Sequence, residues 1–336
     1  MTTPRKLHEY RAFTQSLRKM MYSIGLWPVV KPTLFYRLLL IMAFIASFVA
    51  CFVIFNFVMA YHSDIDTMTK GMGLGGSFIN TMIKILCFAF NRGDVKELYE
   101  TLDNIFNELL KDTTVQSLIL KRFTAVRRLT NIFSYLVFLS IATYAVTPIL
   151  HIISQHIHHV HPVIYPLALP AIYPWPISNG GLLYYFHYLF ELFSAYTLFL
   201  VTCSVDGFFP IYVFQMSGLL KAMSYRLNNI KKDDDFNGAI RECAKKYAIL
   251  LRCRDILETL YGPIVLWMLL SSAVVLCALT FQMSKLDGFA FGRICLIVAY
   301  MGSKSLQTYI YAWAGSLLTS EVRRVRIRIE YQRWLL

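Results

Sequence analysis

Apolar residues are concentrated in long runs that are separated by polar, basic segments. Crossing the hydrocarbon core of a membrane takes about 20 apolar residues in a helix, and the runs at 34–60, 131–153, 182–214, 261–283 and 289–313 have that length. Another run, 71–90, is weaker because it begins with closely spaced glycines and contains Lys84. An open chain in lipid satisfies its backbone groups only as a helix. The pattern therefore predicts an all-α, polytopic transmembrane bundle over 34–313 with six spans.

The long polar segments 91–130 and 215–260 are predicted to be helical extensions of the spans rather than flexible linkers. In the first segment, apolar residues recur every three or four positions, at Val95, Leu98, Leu102, Ile105, Phe106 and Leu109. This spacing is typical of one face of a helix. A polar turn is expected at 231–235, where two lysines precede three aspartates. Residues 1–33 and 314–336 are polar segments at the two ends, and no separable soluble domain is expected.

The distribution of Lys and Arg predicts the orientation of the chain. Residues 1–33 carry six of them, 91–128 carry seven and 215–254 carry nine, whereas 61–69 and 151–180 carry none. Cytoplasmic loops carry the excess of basic residues, so the N-terminus, both long extensions and the tail 314–336 are predicted to be cytoplasmic. Only 16% of the residues are charged, against roughly 25% in soluble domains. The net charge of +13 is thus assigned to contact with anionic lipid rather than with nucleic acid.

The segment 151–180 is unusual because it combines five histidines with five prolines. The histidines are His151, His156, His158, His159 and His161. Imidazole is a common ligand of zinc and copper, but no carboxylate or cysteine lies near them in sequence. The segment is interpreted as a proline-stiffened extracellular lid, with no metal and no cofactor. A pH effect stays open, because histidine titrates at about pH 6.5.

Ionisable residues inside membrane spans are candidates for function. Arg37 and Lys84 are predicted to extend towards the membrane surface, as long basic side chains do. Asp206 is expected to lie in water at the inner end of the fourth span. Glu191 lies deeper in that span and is the best candidate either for a water-filled cavity or for pairing with another helix.

No arrangement of nucleophile, histidine and acid is evident, so the chain is not expected to be an enzyme. Aromatic and Met side chains are common in the outer halves of the spans, and such a lining suits a small apolar ligand. The candidate ligand-binding residues are Met72, Phe78, Tyr144, Tyr185, Tyr188, Glu191 and Tyr300. The alternative for each of them is a position facing lipid or the membrane surface.

Several motifs, taken in order, resemble those of the insect odorant receptors. Residues 24–28, Ile-Gly-Leu-Trp-Pro, resemble the signature that precedes the first span of that family. The long fourth span at 182–214, the start of the fifth at 257–264 and the sequence at 311–321, which closes the sixth, are also similar to family patterns. The segment 228–238 is short, as in the tuning receptors of this family, whereas the co-receptor has a much longer insertion there.

The resemblance implies a ligand-gated, non-selective cation channel in the plasma membrane of olfactory neurons. A tuning subunit of this family forms a heterotetramer with a shared co-receptor, and a volatile ligand binds in the outer half of the bundle among spans 2, 3, 4 and 6. The family has a seventh, pore-lining span, which the sequence as given does not show. From Val325 to Ile329 apolar residues alternate with Arg, which does not fit an amphipathic helix. The chain is therefore predicted to lack the segment that conducts ions.

Three other classes of membrane protein are alternatives to the odorant receptors. A G-protein-coupled receptor is disfavoured by the basic residues of 1–33, and a transporter by the lack of visible inverted repeats. The gustatory receptors are a nearer alternative because they share the fold of the odorant receptors. Residues 24–28 favour the odorant branch.

Overall fold

α-Helices joined by short turns, and one segment without regular secondary structure at 162–176, make up the described part of the chain. The computed structural model describes residues 3–160, 162–176, 181–228, 236–284 and 291–334. The helices within these ranges are α1 (Thr3–Ser23), α2 (Leu34–Ala60), α3 (Ile65–Phe90), α4 (Arg92–Leu109), α5 (Thr113–Leu120), α6 (Phe123–Ile157), α7 (Leu182–Asn228), α8 (Phe236–Ser284) and α9 (Phe291–Trp334). The predicted all-α fold is confirmed. The polar turn predicted at 231–235 lies outside the described residues.

Five stretches of helix in the described residues are long and apolar enough to cross a membrane. They are Leu34–Ala60, Thr67–Phe90, Thr113–Ile157, Leu182–Asn228 and Ile240–Ser284. Each contains one of the first five predicted spans or most of it, including the glycine-containing second one. By length and composition the protein is therefore a multi-pass membrane protein.

The sixth predicted span, 289–313, lies mostly in α9, which differs in character from the other five. Its apolar residues are interrupted by Ser303, Lys304 and Gln307, and all three side chains are buried. α9 is consequently not among the five helices that are apolar enough by composition. Its polar residues face the inside of the bundle, where Gln307 meets α7.

α7 is the central helix of the bundle. It is continuous over 47 residues, most of its side chains are buried, and it contacts every other described helix. A helix surrounded by other helices needs apolar or small residues on all sides. In α7, Val201, Cys203 and Gly207 lie at different positions around the helix axis, and all three are buried.

Small residues allow α2 and α3 to pack closely. The large apolar side chains of α2, such as Ile41, Phe48 and Phe52, are exposed on the outside of the bundle, whereas Ala43, Ala46 and Ala50 are buried. On the facing side of α3, a Cβ atom added to Gly71 would lie 2.7 Å from the side chain of Val58. Glycine at this position of the second span therefore allows the two helices to pack closely.

The turn between α1 and α2 explains the Gly-Leu-Trp-Pro sequence in physical terms. Gly25 has a φ of +73°, and a Cβ atom there would lie 2.5 Å from the carbonyl oxygen of Tyr36. Leu26 and Trp27 are buried, and the Tyr36 hydroxyl donates to the carbonyl oxygen of Trp27 at 2.8 Å. The backbone at this turn therefore requires glycine. The helix before the turn, α1, packs against α7.

One sequence prediction is confirmed and another is wrong at the end of the bundle that contains α4, which we call the α4 end. α4 buries Val95, Leu98, Leu102, Phe106 and Leu109, as the spacing predicted. The prediction that the alternation from Val325 to Ile329 would break an amphipathic helix is wrong, since α9 continues to Trp334. Leu318, Val322 and Val325 are spaced by four and three residues and pack against the main core. The inward face is thus maintained, while Arg323, Arg324 and Arg326 are exposed on the other faces.

Candidate ligand-binding cavity

A cavity of about 510 Å³ lies between α3, α6, α8 and α9. It is found at the end of the bundle where the segment 162–176 lies, which we call the loop end. Its lining consists of Thr69, Lys70, Gly73, Thr143, Tyr144, Thr147, Pro148, His151, Pro166, Leu167, Ala168, Leu169, Pro170, Val275, Ala278, Leu279, Gln282, Leu296 and Tyr300. The volume is within the range of roughly 300–1,000 Å³ for small-molecule pockets. A mostly apolar wall with a few polar groups can hold a small ligand and orient it.

The segment 162–176 covers this cavity, although it forms no helix or strand. The Gln155 side chain pairs with the backbone of Ile164, donating to its carbonyl oxygen and accepting from its N–H, both at 2.8 Å. Further along, the N–H of Ile172 donates to the carbonyl oxygen of Val53 at 3.1 Å. Ala168, Leu169 and Tyr173 are buried. The segment is thus tied to α2 and α6 and forms a fixed cover, in agreement with the lid interpretation.

Glu191 of α7 forms hydrogen bonds with the middle of this cover. Its carboxylate is 1% exposed and accepts from the N–H of Leu169 at 2.9 Å and from the hydroxyl of Tyr173 at 3.2 Å. The sequence singled out Glu191 as a deep carboxylate, but its partners are in the loop rather than on another helix. Its position gives it a structural role beside the cavity wall.

Tyr300 of α9 forms part of the floor of the cavity. Its hydroxyl lies 2.7 Å from the Ser77 hydroxyl and donates to the carbonyl oxygen of Gly73 at 2.6 Å. A Cβ atom at Gly73 would lie 3.3 Å from the Tyr300 ring. The ring is therefore packed tightly against α3, and this contact fixes the depth of the cavity.

A second, smaller cavity of about 50 Å³ lies beyond this floor. Tyr144 and Tyr300 line both cavities, so the two are adjacent. The small cavity also receives Asn80 from α3, Thr202 from α7 and Lys304 from α9. Its wall also contains the apolar side chains of Leu74, Phe133, Val137, Ile141 and Leu198.

A buried ion pair lies close to the small cavity and corrects two predictions. Lys84 of α3 is fully buried rather than extended towards the membrane surface, and its Nζ lies 2.8 Å from Oδ2 of Asp206 on α7. Asp206, predicted to lie in water, is 3% exposed. It also accepts hydrogen bonds from Gln307 at 2.6 Å and Tyr311 at 2.8 Å, both on α9. Burial without such partners would be very unfavourable for either charge.

The seven predicted ligand-binding residues are only partly brought together. Tyr144 and Tyr300 line the large cavity. Phe78 is buried in a cluster with Leu74 and Leu169, Glu191 binds the cover, and the Tyr188 hydroxyl donates to the carbonyl oxygen of Ala145. Met72 and Tyr185 are exposed on the outside of the bundle.

The helices around the large cavity also differ from those that the family resemblance implied. α8, the fifth span, lines it with Val275, Ala278 and Gln282, whereas α7, the fourth span, does not line it. Sequence reasoning missed the α8 residues and the cover residues 166–170. One signal was present: Ser271, Val275, Ala278 and Gln282 form a stripe of small or polar residues along an otherwise large and apolar helix.

The histidines of 151–161 do not share one location. His151 lines the large cavity, His156 contacts the carbonyl oxygen of Ile152 at 3.0 Å through its Nδ1, and His158 and His159 are exposed. His161 lies outside the described residues. Within the described part of the chain, no group of three or more His, Cys, Asp or Glu side chains is placed to hold a metal ion.

Comparisons with known proteins give one family. The sequence model described as 7tm Odorant receptor matches residues 64–335, and no curated protein sequence matches the chain. Among solved structures, the insect olfactory receptor OR5 from Machilis hrabei is similar, with a TM-score of 0.78 and 14% identity over 95% of this chain and 82% of that chain. The structure of the same receptor in complex with eugenol has a TM-score of 0.77 and 13% identity over 96% and 90% of the two chains. At this level of identity the likeness shows a shared fold.

Proposed function

Because the chain belongs to the 7tm odorant receptor family, we propose that it is the odorant-binding subunit of a ligand-gated, non-selective cation channel. Family and fold are those of a receptor rather than an enzyme. The ligand in this proposal is a small volatile organic molecule, which binds in the large cavity. A structure of a similar receptor has been solved with eugenol, a molecule of that class.

The observation that carries the proposal is the covered cavity itself. Its volume of about 510 Å³ leaves room for a volatile molecule and excludes large polar substrates. Val275, Ala278 and Leu279 supply apolar contact, and Thr69 and Gln282, joined by a hydrogen bond of 3.1 Å, supply polar groups. Such a lining discriminates ligands mainly by shape, with a few polar contacts.

The proposal includes the orientation and the partners of the chain. The loop end lies outside the cell, and the N-terminus, α4 and α5 lie in the cytoplasm of an olfactory neuron, as the basic residues indicate. The chain assembles with the co-receptor in the plasma membrane of the dendrite. An apolar groove formed by Met216, Leu250 and Leu318, with a volume of about 240 Å³, is available for a subunit contact at the α4 end.

A substitution that fills the cavity tests the proposal. Ala278 is buried and faces the cavity, so Ala278→Trp should occupy the ligand volume. Ala273 lies on the same helix but is exposed on the outside of the bundle, and Ala273→Trp is the matched control. Loss of the apolar contacts of a small ligand should lower its affinity by at least about tenfold in Ala278→Trp only.

Two measurements serve this test. A panel of volatiles is screened for thermal stabilisation of the purified protein, and the hits are applied to cells that express the chain with the co-receptor while cation current is recorded. Binding should be lost in Ala278→Trp and kept in Ala273→Trp, and any current that the unaltered chain supports should change in the same way. Equal binding to both variants would place the ligand elsewhere, and no binding by any volatile would contradict the proposed function.

A further inference from the structure

Two buried polar side chains line the small cavity. Lys304 is 5% exposed and Asn80 is 3% exposed, and both line this cavity. The side-chain oxygen of Asn80 has no hydrogen-bond partner among the described residues. Buried polar groups in proteins are nearly always hydrogen-bonded. The Asn80 oxygen can only accept a hydrogen bond, so of the two side chains only Lys304 calls for an anion.

The charges around the cavity do not balance. The cations are Lys84 and Lys304, and the neighbouring carboxylate is Asp206. Asp206 is already engaged by Lys84, Gln307 and Tyr311. In the described part of the chain, no carboxylate oxygen lies within 4.0 Å of the Lys304 nitrogen. The nitrogen lies over the ring of Tyr300, 5.8 Å from its centroid. One positive charge thus remains unpaired inside the bundle.

An ammonium group carries three hydrogen-bond donors and no acceptor. A buried charge of this kind needs an anion or several strong acceptors beside it. The cavity volume of about 50 Å³ accommodates a group of about two or three non-hydrogen atoms. A carboxylate has this size, and it supplies both the negative charge and the acceptor oxygens that Lys304 lacks.

The small cavity is adjacent to the large one. Tyr144 and Tyr300 are in the walls of both, so the Tyr300 ring separates them and must rotate for a head group from the large cavity to reach Lys304. We propose that the small cavity is a subsite for the carboxylate of an odorant whose apolar tail fills the large cavity. This inference rests on the proposed function and adds to it a class of ligand: short-chain and medium-chain carboxylic acids.

Matched pairs of acids and alcohols test the subsite. Straight-chain carboxylic acids and primary alcohols of the same length, from butyl to decyl, are added to the purified wild-type protein at pH 7.4, and apparent affinities are measured by thermal stabilisation. A charge-assisted hydrogen bond to Lys304 should make the best acid bind about tenfold or more tightly than its alcohol. Formate alone is included to test for a free anion that binds without a tail.

Two variants connect any preference to the subsite. Lys304→Met removes the cation, and Asn80→Asp places a carboxylate of the same size as the amide inside the same cavity. Both should reduce the affinity for the acid to that of its alcohol, while the alcohol's affinity changes less than about threefold. Lys96→Met, on the exposed face of α4, is the control for loss of a lysine elsewhere and should keep the acid preference. Asn80→Asp keeps the test decisive if Lys304→Met does not fold.

The outcomes separate this inference from the proposed function. Alcohols that bind without any advantage for acids would overturn the carboxylate subsite and leave the odorant cavity standing. An acid preference that remains in either variant would also overturn the carboxylate subsite. So would formate alone, if it stabilised the protein as strongly as the best acid. If no acid and no alcohol binds, the subsite is rejected and the proposed function is weakened with it.

Discussion

A single carboxylate, Glu191, holds a segment that has no regular secondary structure inside a helical bundle. The N–H of Leu169 is buried there without a helical or strand partner, and in an apolar environment such a group is costly to leave unpaired. The Glu191 carboxylate satisfies it and binds Tyr173 as well. Glu191 stood out in the sequence because a carboxylate deep in a membrane span is unfavourable unless it has a partner. Its partner could not be read from the sequence, since Leu169 lies on a loop 22 residues away.

Glu191→Gln should loosen the cover of the cavity. The amide keeps one oxygen but presents an NH₂ group in place of the other, so one of the two donors loses its acceptor at a cost of about 1–3 kcal/mol. The apparent Tm should fall, and hydrogen exchange of residues 166–173 should accelerate. Glu108→Gln on α4, where the side chain is exposed, is the control and should change neither. Unchanged exchange at Leu169 in Glu191→Gln would refute the anchoring role.

At the scale of helices, polar contacts connect α3, α7 and α9. Lys84 and Asp206 were each judged from their position along a single span, and both judgements were wrong. A lysine near the end of a lone helix would extend to water, but Lys84 has a carboxylate 2.8 Å away on the neighbouring helix. The polarity of α9 has the same origin, because Gln307 and Tyr311 complete the shell around Asp206.

Breaking this ion pair on one side should cost more than removing both charges. Lys84→Met leaves a buried carboxylate without its cation, which should destabilise the protein by about 3–5 kcal/mol. The double variant Lys84→Met with Asp206→Asn removes both charges and retains a group that can still accept from Gln307 or Tyr311. It should recover most of the loss. The measurement is thermal unfolding in detergent.

An exposed ion pair in the same chain provides the comparison. Arg226 and Glu242 lie 2.7 Å apart, but both side chains are about half exposed. Surface pairs of this kind contribute about 0–1 kcal/mol, so Arg226→Met should have little effect on the apparent Tm. A loss in Lys84→Met no larger than that in Arg226→Met would show that the buried pair is not a principal contact between the helices.

At the scale of the whole molecule, the basic residues and the cover lie at opposite ends of the bundle. α1 packs beside α4, α5 and α7 with its buried residues Tyr10, Leu17 and Met21, a helix that the sequence interpretation left as a polar segment. The ring of Tyr10 lies 5.2 Å from that of Phe106 and 5.3 Å from that of Phe123. The N-terminal residues are therefore part of the folded bundle at the α4 end.

The proposed orientation predicts which segments are accessible in intact cells. An epitope inserted between His158 and His159, both exposed, should be labelled without permeabilisation. An epitope at the N-terminus should be labelled only after permeabilisation, and one inserted at the exposed turn at Lys111 should behave like it. The basic residues set this orientation through the positive-inside rule. The reverse labelling pattern would refute the orientation and favour a topology like that of G-protein-coupled receptors.

The sequence by itself determined the elements and the class of the protein. Apolar runs of about 20 residues predict membrane helices because lipid leaves the backbone no other partner. The spacing of Val95, Leu98 and Leu102 predicts α4 because helix periodicity is local. The Gly-Leu-Trp-Pro sequence pointed to the family, and the structure explains its glycine by the positive φ of Gly25. Each of these features depends on residues that are close in the chain.

Only the tertiary structure decided which side chains meet. Tyr144 and Tyr300 were predicted at the ligand site and do line the cavity, whereas Met72 and Tyr185 face outwards. Aromatic and Met side chains are equally favourable against lipid and against a cavity wall, so composition does not separate the two positions. The pairing of Lys84 with Asp206 and the unpaired charge of Lys304 depend on how α3, α7 and α9 are packed. That packing is set by contacts between residues more than 100 positions apart, which periodicity along one helix does not contain.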